Sequence, residues 1–405
     1  MKIAFISYEF PPDTGKGGIG TYVKQIAEAV ASLKHEVHVF AGTNQSDISK
    51  CQDNYWIHLV QCRDTIEFRN KVVEIFEIQN ALHSFDLMES PEINGNAWEI
   101  KKRFMDIPLV VRFHAPDYLV ESLKKTYVPV FAKLRFVFGA LKRLKWDMGY
   151  WRKYNKAADA DYEFIQLADA ITAPSNAMKE WGVKNWEIAP KSICVIPNLF
   201  TPPDAFLNIP ISTKNKFKRI VFFGRLNVLK GLVNASMAMK EILTKYPDWK
   251  FRVIGDNENG PYAEITMRDW MKNNMRSVIS QVEFLDGINY EAIPAAITEA
   301  EIVLLPSLFE SFSYTCIEAM AAGKAVVGSN SGGMKDLLQN EESGFLIDPE
   351  NYKGIYAAIE KLILNSELRY NMSRNARERV LKDFSSTSTV EKMIGFYNRV
   401  IEAAK

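Results

Sequence analysis

The sequence lacks a strong net charge, a cysteine framework and any long apolar run. Its 405 residues include 50 Lys and Arg against 49 Asp and Glu, so no overall field favours nucleic acid as a partner. The four cysteines form no CxxC pair and the five histidines form no cluster along the chain, so we expect reduced thiols and no metal site. No apolar run reaches about 18 residues, and a strand starts at once, so we expect neither a membrane-spanning helix nor a signal peptide. These absences predict a cytoplasmic protein.

The sequence does contain alternating short apolar runs and helical stripes. Hydrophobic residues make up 47% and charged residues 24%, which is ordinary for a globular protein. The runs that predict strands are Ile3 to Ser7, Val37 to Phe40, Ile57 to Val60, Leu87-Met88, Leu109 to Phe113, Ile171 to Ala173, Ile193 to Ile196, Ile220 to Phe223, Phe251 to Ile254, Val282 to Leu285, Ile302 to Leu305 and Ala325 to Val327. This order predicts an α/β protein with two doubly wound parallel-sheet domains that face a cleft.

A linker separates the two series of strands. Prolines cluster between 202 and 210, and the polar run 212–218 follows them. We therefore place an N-terminal domain at 1–205 and a C-terminal domain at 206–385. Each is long enough for one core.

Two carboxylates flank a helix start in the second half. The strand candidate 302–305 precedes a loop with Glu310, and a helical stripe that contains Glu318 ends before Gly323. Backbone N–H groups at such a helix start point where an anion can bind.

Landmarks over about 125 residues carry a family resemblance. They are Phe223-Gly224-Arg225-Leu226, Lys230-Gly231, Gly255, Gly287, the stretch from Glu310 to Gly323, and Gly332-Gly333. Weaker matches in the first half are Ala168-Asp169-Ala170 before Ser175 and Val195-Ile196-Pro197-Asn198. This set resembles the retaining glycosyltransferases of family 4. The resemblance implies the GT-B fold, in which two Rossmann-like domains face a cleft.

The resemblance gives each charged landmark a function. It implies that Arg225 and Lys230 bind the diphosphate of a nucleotide-sugar, that Glu318 binds the ribose hydroxyls, and that Glu310 lies at the donor sugar near the reacting carbon. The chemistry agrees, because without a metal the departing diphosphate must be stabilised by cations and backbone amides.

The sequence departs from the family pattern after Glu310. Ser311 and Ser313 stand where the family usually has glycines. Their backbone amides can still donate to phosphate or sugar, and their hydroxyls add donors. We therefore expect phosphate contacts from the backbone at Phe312, Ser313 and Tyr314.

The loop after the first strand has the letters GxGxxG from Gly15 to Gly20. A dinucleotide-binding motif needs a short strand-to-helix turn and an acid at the end of the next strand. Seven residues separate Ser7 from Gly15, and the second strand ends without an acid. These features argue against a nicotinamide dehydrogenase. The resemblance implies instead that the backbone at Gly17 and Gly18 approaches the donor phosphates and sugar.

His114 comes directly after a predicted strand, so we expect it to face the cleft. Family members often have a histidine here against the donor sugar, which implies a catalytic role beside Glu310; a structural histidine is the alternative. Asp159-Ala160-Asp161 matches the DxD metal motif of the other large glycosyltransferase fold. It lies in a helical stretch, and we interpret it as a solvated face.

A basic, aromatic stretch from Lys124 to Lys156 is not explained by the donor site. It has ten Lys or Arg and one acid, Asp147, with aromatic residues between them. A basic amphipathic helix with aromatics suits reversible contact with an anionic membrane surface, here the inner face. An anionic or lipid-linked acceptor and an ordinary basic helix are the alternatives.

The resemblance implies a metal-independent, retaining transferase without a cofactor. It would move a hexose-type sugar from a nucleotide-diphospho-sugar, UDP- favoured and GDP- possible, to a glycan, lipid-linked or other hydroxyl acceptor. In this family the last helix crosses back, so 386–405 is expected to complete the N-terminal domain. A sugar-nucleotide 2-epimerase, a phosphorylase and a non-catalytic binding module remain as alternatives.

Overall fold

The computed structural model describes residues 1–15, 17–125, 127–128, 130–144, 154–212, 216–262, 265–384 and 386–405. Contacts divide the chain into two compact units. The first contains Met1–Asp117, Asn155–Thr201 and Phe384–Lys405, and the second contains Tyr118–Tyr154 and Pro202–Asp383. The last residues of the chain therefore fold with the first unit.

The assignment of 118–154 differs from the expected N-terminal domain. Leu123 and Tyr127 pack against the core of the second unit. The Tyr127 hydroxyl accepts a hydrogen bond from Asn234 Nδ2 at 2.8 Å. These contacts place the segment with the second unit despite its position in the chain.

A largely parallel sheet forms the centre of each unit. The strands are β1 (Lys2–Ile6), β2 (Glu36–Thr43), β3 (Ile48–Gln52), β4 (Tyr55–Gln61), β5 (Leu87–Pro91), β6 (Leu109–Arg112), β7 (Ala170–Ala173), β8 (Ile193–Val195), β9 (Arg219–Phe223), β10 (Lys250–Ile254), β11 (Val282–Leu285), β12 (Ile302–Leu305), β13 (Ala325–Ser329) and β14 (Phe345–Ile347). The strand orders are β3-β4-β2-β1-β5-β6-β7-β8 and β11-β10-β9-β12-β13-β14. Each sheet winds outward in both directions from its first central strand, which confirms the predicted doubly wound α/β class.

Helices connect the strands and cover the sheets. They are α1 (Gly18–Ser32), α2 (Thr65–His83), α3 (Trp98–Arg103), α4 (Asp117–Lys124), α5 (Val130–Lys142), α6 (Ala160–Ile165), α7 (Asn176–Trp186), α8 (Asp204–Leu207), α9 (Leu232–Lys245), α10 (Met267–Asn274), α11 (Ile293–Thr298), α12 (Tyr314–Ala321), α13 (Met334–Leu337), α14 (Tyr352–Leu364), α15 (Ser366–Asp383) and α16 (Ser386–Ala403). Within the described ranges, none of them is both long enough and apolar enough to cross a bilayer.

The C-terminal helix α16 completes the core of the first unit. Val390, Met393 and Tyr397 are buried in that core. The Tyr397 hydroxyl donates to Glu89 Oε2 at 2.6 Å, and the Tyr22 hydroxyl donates to Glu89 Oε1 at 2.7 Å. One carboxylate on β5 is thus held by hydroxyls from both α1 and α16.

Candidate functional site

Three predicted site residues follow the carboxyl ends of adjacent strands in the second sheet. Arg225 comes two residues after β9, and Lys230 ends the 3-10 turn Val228–Lys230 that precedes α9. Glu310 lies in the loop after β12. Because β9 and β12 pair in parallel, their carboxyl ends lie at the same edge of the sheet, where open α/β sheets bind ligands.

Lys230 and Glu310 form a close ion pair at this edge. Lys230 Nζ lies 2.5 Å from Glu310 Oε1, and Ser307 Oγ donates to the same oxygen at 2.9 Å. Their side chains are only 20% and 18% exposed, so water screens the pair weakly. The carboxylate is therefore held in one orientation before any ligand binds.

Glycines make the close backbone approaches that position this pair. Gly231 has a φ of +69°, and a Cβ there would lie 1.8 Å from the Pro306 carbonyl oxygen. Gly332 has a φ of +79°, and its Cβ would lie 2.3 Å from the Glu310 carbonyl oxygen. Gly333 N donates to that same oxygen at 2.6 Å. The glycine landmarks of the sequence are thus needed to bring the Lys230 turn and the Glu310 loop together.

Arg225 is not in this ion pair. Its side chain is 64% exposed, and Nη1 lies 3.4 Å from Glu258 Oε1. Glu258 Oε2 also accepts from Asn227 Nδ2 at 2.7 Å, and Asn227 Oδ1 accepts from the Lys230 backbone N–H at 3.3 Å. Glu258 therefore positions the loop that carries both cations. Sequence reasoning missed it because it belongs to no recognisable motif.

Ser313 caps the helix that carries Glu318. It is the N-cap residue of α12, its Oγ accepts from Cys316 N at 3.3 Å, and it is 2% exposed. The Ser313 hydroxyl also bonds to Thr315 Oγ1 at 3.1 Å. The neighbouring rings of Phe312 and Tyr314 contact each other edge to face at 5.3 Å. The Ser313 hydroxyl, at a position where the family usually has glycine, is therefore engaged in hydrogen bonds within the protein.

Glu318 is a buried carboxylate on α12. It is 6% exposed, and burial raises its pKa from 4.5 to about 8. The hydrogen bonds of the described residues include none to its side chain. One turn earlier, Thr315 lines a cavity of about 190 Å³. Burial thus favours the protonated form of Glu318, and within the described residues its hydrogen-bonding capacity is unused.

Three glycines shape the cavity beside Thr315. Gly224, Gly255 and Gly287 line it together with Arg225. Gly255 has a φ of +150°, and a Cβ there would lie 1.9 Å from the Gly224 carbonyl oxygen. Any larger side chain at Gly255 would push apart the loops that form the cavity.

His114 lies in the first unit, directly after β6. Its backbone N–H donates to both oxygens of the buried Glu92 carboxylate, at 2.8 and 2.9 Å. Nδ1 lies 3.0 Å from the Arg112 carbonyl oxygen, which can only accept, so Nδ1 carries the proton. Nε2 is buried and, within the described part of the chain, has no hydrogen-bond partner. His114 therefore presents an unused acceptor.

Gly17 and Gly18 begin helix α1. Gly17 is its N-cap residue, and no side chain of the described residues caps this end. A Cβ at Gly18 would meet nothing within 4 Å, whereas one at Gly17 would lie 3.2 Å from Glu9 Oε2. The helix start is open, as an anion requires, although the Glu9 carboxylate lies beside it. Lys16 lies outside the described residues.

The interpretation of Asp159 and Asp161 as a solvated face was wrong for Asp161, whereas Asp159 is partly exposed. Asp161 is 3% exposed and accepts from the backbone N–H groups of Asn94 and Asp117, both at 2.9 Å. Burial raises its pKa to about 7. Asp159 Oδ1 accepts from Asp161 N at the start of α6. Both carboxylates organise backbone turns.

Comparisons with known proteins agree with this architecture. The model of the family "Glycosyltransferase Family 4" matches residues 16–201, and that of "Glycosyl transferases group 1" matches residues 207–379. An uncharacterized glycosyltransferase of Methanocaldococcus jannaschii is 23% identical over 99% of both chains.

Two solved structures show the same fold. Sucrose-phosphate synthase of Thermosynechococcus elongatus aligns over all of both chains with a TM-score of 0.74 and 19% identity. An Anabaena protein solved in complex with UDP aligns over 98% of this chain and 100% of its own, with a TM-score of 0.68 and 18% identity. The two family models together span both units. The chain therefore belongs to the family 4-like glycosyltransferases, enzymes with the GT-B fold.

Proposed function

We propose that this enzyme is a retaining glycosyltransferase that uses a nucleotide-diphospho-sugar without a metal. The observation that carries the proposal is Glu318, a buried acid with unused hydrogen-bonding capacity, one helical turn after Thr315, which lines the cavity. A ribose offers two hydroxyl donors that one carboxylate accepts together. A nucleoside in the cavity would supply those donors and favour the ionised form of Glu318.

Arg225 and Lys230 bind the diphosphate in this proposal. Lys230 already pairs with Glu310, and the exposed guanidinium of Arg225 can turn from Glu258 toward a ligand. Backbone N–H groups at Phe312, Ser313 and Tyr314, where α12 begins, add donors. These groups stabilise the charge that develops on the leaving diphosphate. The N-terminal backbone at Gly17 and Gly18 is proposed as a further phosphate contact.

Glu310 and His114 act on the donor sugar. Ser307 and Lys230 orient Glu310, which positions and polarises the sugar near the reacting carbon. His114 Nε2 accepts a hydrogen bond from a sugar hydroxyl, because its Nδ1 proton is already engaged. The acceptor hydroxyl attacks from the face that the diphosphate leaves, and the departing phosphate takes its proton. No dedicated base is needed, and the anomeric configuration is retained.

Three single replacements test the site. Arg225→Ala, Lys230→Ala and Glu310→Ala should each lower transfer at least about tenfold, the effect of losing about 1.4 kcal/mol of transition-state stabilisation. Lys361→Ala, which removes an exposed ion pair with Glu341 in the same unit, is the matched control and should leave the rate unchanged. Unchanged turnover in all three site variants would refute the assignment.

The donor is proposed to be a UDP-hexose. Support comes from the similar Anabaena protein, whose structures hold UDP, UDP with glucose, or UDP-glucose. A thermal-shift series with UDP, GDP and ADP, each with and without EDTA, tests base and metal together. UDP should raise Tm more than GDP or ADP does, and the increase should be the same with and without EDTA. A larger shift with GDP would overturn the choice of UDP as the donor nucleotide. Loss of the UDP shift in EDTA would overturn the proposal that no metal is needed.

Dependence on an acceptor separates this proposal from the other activities. A transferase releases nucleoside diphosphate from the donor only when an acceptor hydroxyl is supplied. A 2-epimerase changes the sugar without an acceptor, a phosphorylase requires free phosphate, and a binding module turns over nothing. Each of those three results would contradict transfer.

The helix α5 supports the proposed membrane contact. Val130, Phe131 and Phe138 on this helix are 66%, 69% and 62% exposed, and Lys133 lies among them. Apolar rings beside cations suit an anionic bilayer surface. Residues 145–153 of the basic stretch lie outside the described residues.

Flotation with vesicles tests this contact. Phosphatidylglycerol vesicles should carry the protein, and neutral phosphatidylcholine vesicles should not. Phe131→Ser with Phe138→Ser should abolish flotation. Leu82→Ser, which changes an apolar residue that is 71% exposed on α2, is the control and should have no effect. Equal recovery with both lipids, or none with either, contradicts the contact.

A further inference from the structure

Three of the five histidines, distant in sequence, meet on one face of the first sheet. Glu36 and His38 are alternate residues of β2, so their side chains share a face. His58 lies diagonally next to His38, because the register pairs His38 with Trp56 and Phe40 with His58. Helix α2 ends at His83 and brings that ring over the same face. This cluster lies at the start of β2, the opposite end of the strand from the carboxyl edge.

The cluster places three metal-ligating groups around one point. One ligand atom each from Glu36, His38 and His83 lies within 4.8 Å of the other two. His83 Nδ1 is 2.5 Å and His38 Nε2 is 3.3 Å from Glu36 Oε1. The His83 and Glu36 side chains are 26% and 35% exposed, so an ion can reach them from solvent, whereas His38 is fully buried.

We propose that Glu36, His38 and His83 form a binding site for a divalent cation of the zinc class. Two imidazole nitrogens and one carboxylate oxygen are ligands that Zn²⁺ takes at four-coordinate sites, with water in the fourth position. An ion bound here would join the start of β2 to the end of α2. The site is separate from the donor site of the second unit and does not rest on the proposed function.

A second set of contacts orients the buried ligand. His38 Nδ1 lies 2.9 Å from His58 Nε2, and His58 Nδ1 lies 2.8 Å from Ser49 Oγ. Metal-binding histidines almost always donate their other N–H to such a partner, which fixes the tautomer.

Without an ion, the same residues can form a complete chain of hydrogen bonds. Ser49 O–H then donates to His58 Nδ1, His58 Nε2–H to His38 Nδ1, and His38 Nε2–H to Glu36, while His83 Nδ1–H also donates to Glu36. When the ion binds, the His38 and His58 protons each move to the other ring nitrogen, so that His38 Nδ1–H donates to His58 Nε2 and His58 Nδ1–H donates to Ser49, whose hydroxyl turns from donor to acceptor. Both protons thus stay within the chain from His38 to Ser49, and the Glu36 carboxylate is left to bind the ion.

Lys2 is a cation close to this site. Its Nζ donates to the His83 carbonyl oxygen at 2.6 Å, and its backbone lies opposite Glu36 in the β1–β2 register. Its positive charge opposes a cation bound beside His83. Lys2→Met should therefore strengthen metal binding.

Calorimetric titration of the full chain with ZnCl₂, after removal of metals with EDTA, tests the proposal. We expect one equivalent to bind. Glu36→Gln and His83→Gln should each weaken binding at least tenfold, and His58→Asn should weaken it about 10- to 100-fold, as loss of an outer-shell partner does. His35→Gln is the matched control, because His35 contacts the N-terminal amine outside the cluster, and should bind as the wild type does.

Glu36 and His83 are partly exposed ends of their elements, so these variants should fold, and circular dichroism checks this. Replacement of Zn²⁺ by Co²⁺ gives a second readout, the visible absorption of a four-coordinate cobalt site, which Glu36→Gln and His83→Gln should lose. Absence of binding in the wild type, or equal binding in folded Glu36→Gln and His83→Gln, overturns the proposal.

Discussion

At the scale of single residues, Glu318 links stability to ligand binding. Its pKa is about 8 in the folded protein and 4.5 in the unfolded chain, because burial disfavours the charged form. Because this pKa is raised in the folded protein, the contribution of Glu318 to the free energy of unfolding is fully present below pH 4.5. That contribution is lost as the pH rises through about 8. At 1.36 kcal/mol per pKa unit, ionisation costs at most about 4 to 5 kcal/mol.

Glu318→Gln should therefore stabilise the ligand-free protein at alkaline pH. The amide has the same shape and no charge, so we expect the variant to match the wild type at about pH 4, below the unfolded pKa, and to exceed it by a few kcal/mol at about pH 8.5. Urea unfolding at the two pH values measures this. In the same samples the thermal shift given by UDP should fall sharply. A variant that is less stable than the wild type at pH 8.5 would contradict the burial argument.

Gly231 has no tolerance for a side chain. Its φ of +69° disfavours any Cβ, and that atom would lie 1.8 Å from the Pro306 carbonyl oxygen. Gly231→Ala should cost about 3 kcal/mol or more, because the Lys230 turn and the strand β12 must separate. Gly18→Ala is the control, since that Cβ meets nothing within 4 Å. Similar urea midpoints for the two variants would show that the close approach does not matter.

The sequence predicted residue types better than their contacts. The family resemblance implied that Lys230 and Glu310 both lie at the donor, but spacing could not show that they form an ion pair. Glu258 gave no signal, because its function depends on two side chains from another loop. The prediction for Asp161 failed because an acidic residue usually indicates an exposed position. Here two backbone N–H groups donate to the carboxylate and compensate the cost of its burial.

At the scale of elements, α12 begins where this chain departs from its family. Ser313 caps the helix through Cys316 N, and the family glycine would cap it without a side-chain acceptor. Ser313→Ala should cost about 1 kcal/mol, whereas Ser313→Gly should cost only a few tenths of a kcal/mol. Urea unfolding compares them, with Ser175→Ala, which removes the cap of α7, as a reference for a capping loss. Equal losses for alanine and glycine at 313 would mean that the cap adds little.

Strands buried on both faces were the most predictable elements. Each predicted run lies in an observed strand to within a few residues, because apolar runs suit parallel strands under helices. The edge strand β3 was missed, since its residues are exposed except for Gln52, which is partly exposed, and it pairs antiparallel with β4 alone. The three-residue strand β14 was also missed.

At the scale of the whole molecule, chain order does not decide which residues fold together. The N-terminal and C-terminal segments share the first unit, whereas the described residues of 118–154 group with the second. Local periodicity cannot predict such assignments, because a helix with one apolar face fits any complementary core. The family resemblance supplied the place of the last helix, and it gave no comparable information for 118–154.

The position of α16 makes a prediction for the whole chain. Removal of 384–405 would uncover core that Val390, Met393 and Tyr397 bury, each worth about 1.5 to 3 kcal/mol, and would leave Glu89 without one of its two hydroxyl donors. Their sum approaches the total stability of a domain. Hydrogen exchange should therefore show β1 and β2 losing protection while β9 and β12 keep theirs. Removal of only 404–405, which are exposed, should change neither sheet. Full protection of β1 in the longer truncation would show that the first unit does not depend on α16.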